Sequence, residues 1–244
     1  MHTQMQAFPT IPRGAWQENL RGEADHWRQW IQAAAWHADK AVMEDFKWRT
    51  TRRCDVREKD MFAPYLRPAC PPGTQARILD VGAGPLTWFP RKWFTRDYNV
   101  VPLDPLADEF DAMLAEANIT PPVKTIKGEA EKLTEQFEPE SFHLVFCRNA
   151  FEQFYDPMTA LRQMLAVVKE NCWVILIQED YRADEQQKRG PWTIEEQDAD
   201  LIMNAPDGGK IDLGMEFADV ATLRTSRSWH WPWVLGAFKK EALA

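Results

Sequence analysis

Apolar residues from position 77 onward fall into two alternating patterns. Short runs rich in β-branched residues predict strands at residues 77–80, 98–103, 123–126, 142–147 and 173–177. Between these runs, helical spacing predicts helices over residues 106–117 and 157–169 and a short helix that begins within residues 84–89. Two last runs, VATLRTS and WVLGAFKK, predict a closing antiparallel pair. This alternation indicates an α/β fold with a doubly wound, mainly parallel sheet.

The N-terminal part of the chain carries one long amphipathic pattern instead. Residues 1–15 are punctuated by proline and glycine and are expected to form an arm. Beyond Trp16, apolar residues recur with helical spacing at Leu20, Trp27, Ile31, Ala34, Ala38 and Ala41. A helix with such a stripe must cover another part of the protein. We therefore expect an arm and helical cap over residues 1–67 and an α/β domain over residues 68–244, with an insertion near residues 181–215.

Residues 78–87, with the sequence ILDVGAGPLT, describe a buried strand that ends on an acid and enters a glycine turn. Glycine at positions 82 and 84 allows a sharp turn and a close approach of the backbone to a ligand. Two later predicted strands also end at acids. Because the carboxyl ends of parallel strands meet at one edge of a sheet, these acids are expected to lie together. The sequence thus predicts a nucleotide site that contains Asp80, Asp104 and Glu129.

Two other interpretations of the glycine turn are open. A structural turn without a ligand does not account for three acids at successive strand ends. A nicotinamide site has the fingerprint Gly-x-Gly-x-x-Gly, whereas this chain has Thr87 at the last position. A nicotinamide site also gives no reason for the acidic run GEAE at residues 128–131. Both interpretations therefore rank below the one that follows from the wider pattern.

The wider pattern resembles the class I S-adenosylmethionine-dependent methyltransferases. Their first motif, an acid followed by x-Gly-x-Gly, is matched by residues 80–84, although Leu86 replaces a third glycine found in many relatives. Their acids after the second and third strands are matched by Asp104 and Glu129, and FHLVFCRNAFEQFYDP and CWVILIQED match their fourth and fifth strands. The resemblance covers roughly residues 76–180. It implies a Rossmann-like, seven-stranded sheet with an N-terminal helical cap.

The same resemblance implies S-adenosylmethionine as the cofactor. In this family the acid after the second strand holds the ribose hydroxyls and the segment after the third strand faces the adenine, which assigns these roles to Asp104 and Glu129. Asp80 is expected near the amino-acid end of the cofactor. The full set of expected cofactor-binding residues is Asp80, Gly82, Ala83, Gly84, Asp104, Pro105, Glu129, Ala130 and Asn149.

Methyl transfer needs mainly alignment of the acceptor with the methyl group, plus a base when the acceptor is a hydroxyl. The candidate bases are His230, Glu179 and Glu152, each of which also has an ordinary structural interpretation. Segments outside the core sheet must cover the acceptor. We therefore expect an acceptor pocket formed by the N-terminal helix and the insertion, with Trp30, His26, His37, Tyr181 and Trp192.

The composition of the chain limits the kinds of partner that it is expected to bind. A net charge of −8 disfavours a large nucleic-acid interface, since such an interface needs a basic surface. The four cysteines have no metal-ligand spacing, so no metal site is expected. No apolar run is long enough to cross a bilayer, and no secretory signal is visible, so we expect no membrane partner and a cytoplasmic location.

The predicted function is transfer of a methyl group from S-adenosylmethionine to a small-molecule acceptor, such as a hydroxyl of a sugar or secondary metabolite. Two alternatives stay open. A basic cluster at residues 47–53 keeps an RNA or protein methyltransferase under consideration. A catalytically silent regulatory protein that binds S-adenosylmethionine is the second alternative, because no single catalytic side chain is obligatory. The oligomeric state is open, with a homodimer as one option.

Overall fold

The structure is a computed structural model that describes residues 8–35, 64–66, 75–89, 92–93, 96–179, 190–227 and 233–242. Its helices are α1 (Arg13–Ala35), α2 (Ala107–Glu116), α3 (Pro157–Val167) and α4 (Leu213–Glu216), with 3₁₀ turns at Ala130–Glu135 and Phe151–Gln153. The strands are β1 (Ala76–Val81), β2 (Lys92–Trp93), β3 (Arg96–Asp104), β4 (Ile126–Lys127), β5 (Phe142–Arg148), β6 (Val168–Glu179), β7 (Thr193–Gln197), β8 (Asp200–Asn204), β9 (Lys210–Asp212), β10 (Ala221–Arg227) and β11 (Trp233–Lys240).

Seven strands form the body of the main sheet in the order β10, β11, β6, β5, β1, β3, β4. The five strands from β6 to β4 pair in parallel, whereas β11 runs antiparallel to β6 and to β10. The two-residue β2 adds a short antiparallel pair at β3. The predicted seven-stranded, mainly parallel sheet with a closing antiparallel pair is therefore confirmed. The N-terminal helix is also confirmed.

The central strands are buried on both faces, as their continuous apolar runs predict. In β1, Leu79 pairs with Val101 of β3 on one side and with Val145 of β5 on the other. Since β3 follows β1 on one side and β5 returns on its other side, the strand order switches at β1. A crevice opens at the carboxyl ends of strands at such a switch point, which is where α/β sheets bind ligands.

Separate apolar layers cover the two faces of the sheet. On one face, Met158, Leu161 and Leu165 of α3 pack against β1, β5 and β6. This helix begins with strong local signals, because Asp156 accepts a hydrogen bond from the Thr159 N–H (2.9 Å) and proline occupies the first turn. On the other face, an aromatic layer that includes Trp88 packs against the same strands.

The predicted helix within residues 84–89 is wrong: these residues form bends. The Thr87 hydroxyl accepts a hydrogen bond from the Phe89 N–H (3.0 Å), which gives that N–H a partner outside a helical ladder. Gly84 has a left-handed φ of 65°, which also departs from helical geometry. The predicted third strand, by contrast, is present but shifted to residues 126–127 as the two-residue β4.

The segment between β6 and β10 contains a second, three-stranded sheet in the order β7, β8, β9. A hairpin turn at Asp207-Gly208-Gly209 joins β8 to β9, and Gly208 has the left-handed φ of 86° that such a turn requires. Trp192, Leu201 and Met203 bury this small sheet against the α3 layer. Across the described residues, no helix has the length and apolar character needed to cross a membrane.

Trp192 gives a direct test of how the small sheet is attached. Its side chain is 1% exposed, and its Nε1–H donates to the Phe154 carbonyl at 2.7 Å. We expect Trp192→Ala to lower the free energy of unfolding by ~3–5 kcal/mol because it removes a large buried side chain. Trp192→Phe should cost less, ~1–3 kcal/mol, by leaving a buried carbonyl without its donor. Urea denaturation measures both.

Met215, whose side chain is 78% exposed, supplies the control for this measurement. Met215→Ala should leave the unfolding midpoint almost unchanged, since surface substitutions usually stay within ~0.5 kcal/mol. A Trp192→Ala protein that is as stable as the Met215→Ala protein would contradict the structural role of Trp192.

Candidate functional site

A cleft opens at the carboxyl ends of β1, β3 and β5. Eight of the nine residues expected to bind the cofactor line it: Asp80, Gly82, Ala83, Asp104, Pro105, Glu129, Ala130 and Asn149. The ninth, Gly84, is not among the lining residues, but its N–H donates to the carboxylate of Asp104, which lines the cleft. The structure therefore brings the predicted set together, whereas the contact each residue makes with a cofactor stays a prediction.

The glycine turn is held close to β3 by its own backbone. The N–H groups of Gly82 and Ala83 both donate to the Leu103 carbonyl, at 2.8 and 3.1 Å. Gly82 has a φ of 69°, and a Cβ at this position would clash with the Cβ of Ala150. A Cβ at Gly84 would lie 2.7 Å from Cζ2 of Trp27. Both glycines are thus required by packing within the protein, in addition to any ligand.

Asp104 joins the turn to the start of α2. Its Oδ2 accepts from the Gly84 N–H (3.0 Å) and its Oδ1 accepts from the Leu106 N–H (2.9 Å). Burial raises the pKa of Asp104 to about 7, in spite of these two bonds, which act in the opposite direction. The nearby carboxylates of Glu23 and Asp80 raise this pKa further. The acid that ends β3 is therefore poised to change charge near neutral pH.

Two threonines that the sequence analysis did not select fix the same turn. The Thr87 hydroxyl donates to Asp80, and the Thr125 hydroxyl donates to the Gly84 carbonyl at 2.8 Å. Both threonines are buried. Gly84 is consequently bound through both its N–H and its C=O, and the acid of the first motif is oriented from within the loop.

Glu129, which follows β4, forms an ion pair with a residue of α1. Both of its carboxylate oxygens accept from the Arg13 guanidinium, each at 2.8 Å, and Lys132 lies 3.1 Å away. The hydrogen bond from Arg13 holds the pKa of Glu129 below its usual range. Arg13 also lies over the rings of Trp16 (4.8 Å) and Tyr155 (4.4 Å).

Helix α1 forms one wall of the cleft through a single stripe of residues: Trp16, Leu20, Glu23 and Trp27. The sequence analysis placed this helix over an acceptor pocket, with Trp30 and His26. In the structure, Trp30 packs against Trp27 (5.4 Å between ring centres) and against the apolar residues of α2. The His26 ring also packs against Trp27, at 5.6 Å between ring centres. Neither residue lines the cleft. The helix instead covers the end that contains Asp104 and Glu129.

The remaining predicted residues separate into three groups. Glu179 lies at the end of β6, where its Oε1 accepts from the Asn149 Nδ2 (2.9 Å) and its N–H donates to the Asn149 Oδ1 (3.1 Å). Glu152 is fully buried, and Trp192 belongs to the core; neither lines the cleft. His37, Tyr181 and His230 lie outside the described residues. Of the candidate bases in the described part, Glu179 is thus the one attached to the cleft wall.

The sequence analysis did not select Glu131, Arg148 or Trp88, all of which line the cleft. Glu131 accepts from the Tyr155 N–H (2.9 Å) and the Asp156 N–H (3.2 Å), and burial raises its pKa to about 7. Glu131 is the last residue of the acidic run GEAE, which the sequence analysis noted. With Glu131 included, the described residues that line the cleft comprise one arginine and five acids: Glu23, Asp80, Asp104, Glu129 and Glu131. Such a lining favours a cationic ligand.

One segment of the chain matches a known protein family. Residues 79–176 match the family described as "Methyltransferase domain". No curated protein sequence matches the chain. Among solved structures, an amino pentose methyltransferase of calicheamicin biosynthesis from Micromonospora echinaspora, solved with S-adenosylmethionine bound, is 16% identical, covering 83% of this chain and 98% of that chain (TM-score 0.49). A TehB-like S-adenosylmethionine-dependent methyltransferase from Corynebacterium glutamicum is 14% identical, covering 91% of this chain and 100% of that chain (TM-score 0.49).

The strand order and the cleft at the switch point define an α/β protein of the doubly wound type, with the cleft where such sheets bind ligands. The family match spans β1 to most of β6 and so contains the glycine turn, Asp104 and Glu129. Residues 79–176 are thus similar to a methyltransferase domain, in agreement with the predicted class and with S-adenosylmethionine as the predicted cofactor. The site fits this group, because the acidic lining suits a sulfonium cation.

The raised pKa values of Asp104 and Glu131 predict the pH dependence of stability. Both carboxyls stay protonated in the folded protein up to about pH 7, whereas they ionise near their ordinary pKa values in the unfolded chain. The folded state therefore binds more protons between about pH 4 and pH 7, so the contribution of these groups to stability falls as pH rises through that window. Urea denaturation at several pH values measures the slope.

Asp104→Asn and Glu131→Gln, which mimic the neutral acids, supply the comparison for this slope. Each variant should lose less stability than the wild type between pH 4 and pH 7. If both variants show the wild-type slope, the two carboxyls do not have raised pKa values in the folded protein.

Proposed function

We propose that the enzyme methylates a small-molecule acceptor, with a hydroxyl of a sugar or secondary metabolite as the expected acceptor group. The observation that carries this proposal is the cleft itself. Among the residues that the structure describes, its lining holds one basic residue and five acidic ones, which is unfavourable for a polyphosphate such as RNA.

In this proposal the cofactor lies across the carboxyl ends of β3 and β1. Asp104 would accept hydrogen bonds from the ribose hydroxyls through the lone pairs left by its two backbone donors. Glu129 and the backbone of Ala130 would face the adenine, and Asp80 would lie toward the amino-acid end. S-adenosylmethionine supplies an activated methyl group on its sulfonium, so the main task of the chain is to hold and align the two reactants.

A proton must leave a hydroxyl acceptor as its oxygen takes the methyl group. Glu179 is the candidate base that the described residues support best, because Asn149 connects it to the wall of the cleft. The same amide holds one oxygen of Glu179 in place. Glu152 is fully buried and is not among the residues that line the cleft, which weighs against a direct contact with the acceptor. His230 stays a candidate from the sequence.

Two other functions stay under consideration. An RNA or protein methyltransferase would use the basic cluster at residues 47–53, which lies outside the described residues. A regulatory protein that binds the cofactor without transfer would need the same cleft but no acceptor. The cytoplasmic location and the option of a homodimer likewise stay predictions from the sequence.

An acceptor screen tests the proposed function. The purified protein is incubated with isotope-labelled S-adenosylmethionine and, in parallel, with a small-metabolite extract, total RNA and a protein extract. We expect label in a small molecule whose mass has increased by one CH₂ unit, measured by mass spectrometry. Label in RNA or protein alone would overturn the acceptor class, and cofactor binding without transfer to any fraction would favour the regulatory alternative.

The Arg13–Glu129 pair predicts a link between α1 and adenine recognition. If Arg13 holds the Glu129 carboxylate toward the adenine amino group, Arg13→Gln should weaken binding of S-adenosylhomocysteine by up to about fivefold, since partly exposed ion pairs contribute at most ~1 kcal/mol. Calorimetry measures this loss. Binding of S-inosylhomocysteine, which lacks that amino group, should not change.

Arg28→Gln is the matched control, because Arg28 forms an exposed ion pair with Asp25 within the same helix. This variant should bind both ligands with wild-type affinity. An equal loss for both ligands in the Arg13→Gln protein would mean that Arg13 acts on the shape of the cleft and not on adenine recognition.

A further inference from the structure

One acid interrupts the apolar stripe that α1 presents to the cleft. The stripe consists of Trp16, Leu20, Glu23 and Trp27, and its other three members are aromatic or aliphatic. Glu23 is half-buried. A carboxylate on the docked face of a helix loses part of its hydration, which costs free energy, and an apolar residue would pack there without that cost. Packing therefore does not account for an acid at this position, whereas a polar ligand in the cleft would.

The neighbours of Glu23 on its own helix do not give it a structural role either. Side chains three and four positions away lie beside it on a helix surface, and these are Asn19, Leu20, His26 and Trp27. None of them is a lysine or an arginine. Across the residues that the structure describes, no hydrogen bond or ion pair involves the Glu23 carboxylate. Its position in the cleft wall is thus the feature that an account of Glu23 must explain.

The docking of α1 places Glu23 at the level of the acid that ends β3. Trp27 lies against the glycine turn, since a Cβ at Gly84 would come within 2.7 Å of its Cζ2. The Gly84 N–H donates to Asp104 at 3.0 Å. Glu23 lies one helical turn before Trp27 on the same stripe, about 6 Å along the helix axis. Arg13, which binds the acid after β4, lies about 15 Å from Glu23 along that axis.

The carboxylates of Glu23 and Asp104 also interact electrostatically. Burial is the main cause that raises the pKa of Asp104 to about 7, and the Glu23 carboxylate raises it further, by more than Asp80 does. A ligand with two neighbouring hydroxyls would relieve the repulsion between the two acids, because each hydroxyl can donate to one carboxylate. A ribose has such a diol, whereas a phosphate or a carboxylate group would add to the repulsion.

We propose that Glu23 is a further cofactor-binding residue, which shares the ribose diol of S-adenosylmethionine with Asp104 and accepts a hydrogen bond from one of its hydroxyls. This proposal rests on the proposed function, since it places the cofactor in the same cleft. The ribose then connects α1 to the end of β3. The acid in the apolar stripe is thereby explained as a ligand-binding group on a helix outside the sheet.

Calorimetry tests this role with S-adenosylhomocysteine and its 2′-deoxy and 3′-deoxy analogues. These compounds have no sulfonium, so attraction between the acid and a cation does not contribute. Glu23→Leu removes the acceptor and keeps the stripe of α1 apolar. We expect this variant to bind S-adenosylhomocysteine about tenfold more weakly, which is the scale of one hydrogen bond to a charged group.

The deoxy analogues separate a ribose contact from a structural effect. For the analogue that lacks the hydroxyl bound by Glu23, the wild type and Glu23→Leu should have equal affinities. For the other analogue, the loss should match that for S-adenosylhomocysteine. Glu23→Gln keeps a neutral acceptor, so it should show the same pattern with a smaller loss.

Glu18→Leu is the matched control, because Glu18 is exposed on the same helix and is not among the residues that line the cleft. It should bind all three compounds with wild-type affinity, and circular dichroism checks that each variant is folded. If the folded Glu23 variants bind S-adenosylhomocysteine normally, or lose affinity for all three compounds by the same factor, the proposal is overturned. A wild type that binds none of the three compounds would instead overturn the proposed function.

Discussion

The cleft depends on one buried carboxylate that bonds to two backbone N–H groups. Asp104 takes the N–H of Gly84 with one oxygen and that of Leu106 with the other, so the glycine turn after β1 is tied to the start of α2 after β3. The turn cannot move away from β3 without leaving a buried acceptor unsatisfied, which is costly. The same side chain faces the cleft, so the group that shapes the site is also one that a ligand meets.

Acidity is the second constraint on this site. Five acids among the described residues line one cleft, and burial, with a smaller contribution from the neighbouring carboxylates, raises the pKa of Asp104 and of Glu131 to about 7. Arg13 relieves part of the charge at Glu129, and backbone donors relieve part of it at Asp104 and Glu131. A cationic ligand would relieve more. The charge of a sulfonium cofactor would thus offset part of the electrostatic cost of this acidic lining.

The sequence was enough to predict the sheet and the position of the cleft, because apolar runs and strand-end acids are local signals. It was not enough for residues whose role depends on contacts distant in the chain. Arg148 meets Trp233 across 85 positions of sequence, and Arg13 meets Glu129 across 116. Trp192, which the sequence predicts in the acceptor pocket, is buried and donates to the Phe154 carbonyl, a partner that the local sequence does not reveal. Bends stabilised by the hydrogen bonds of Thr87 replace the helix expected after the glycine turn.

Helix α1 lies outside the segment that defines the family, yet four of its residues form a wall of the cleft. The stripe that attaches this helix to the domain is therefore also a ligand-facing surface. Helix docking and the surface of the cleft depend on the same positions. A substitution that tightens the docking of the helix therefore also changes the cleft. Grafting the family segment alone onto another chain would carry over the turn and its acids but leave the cleft without this wall.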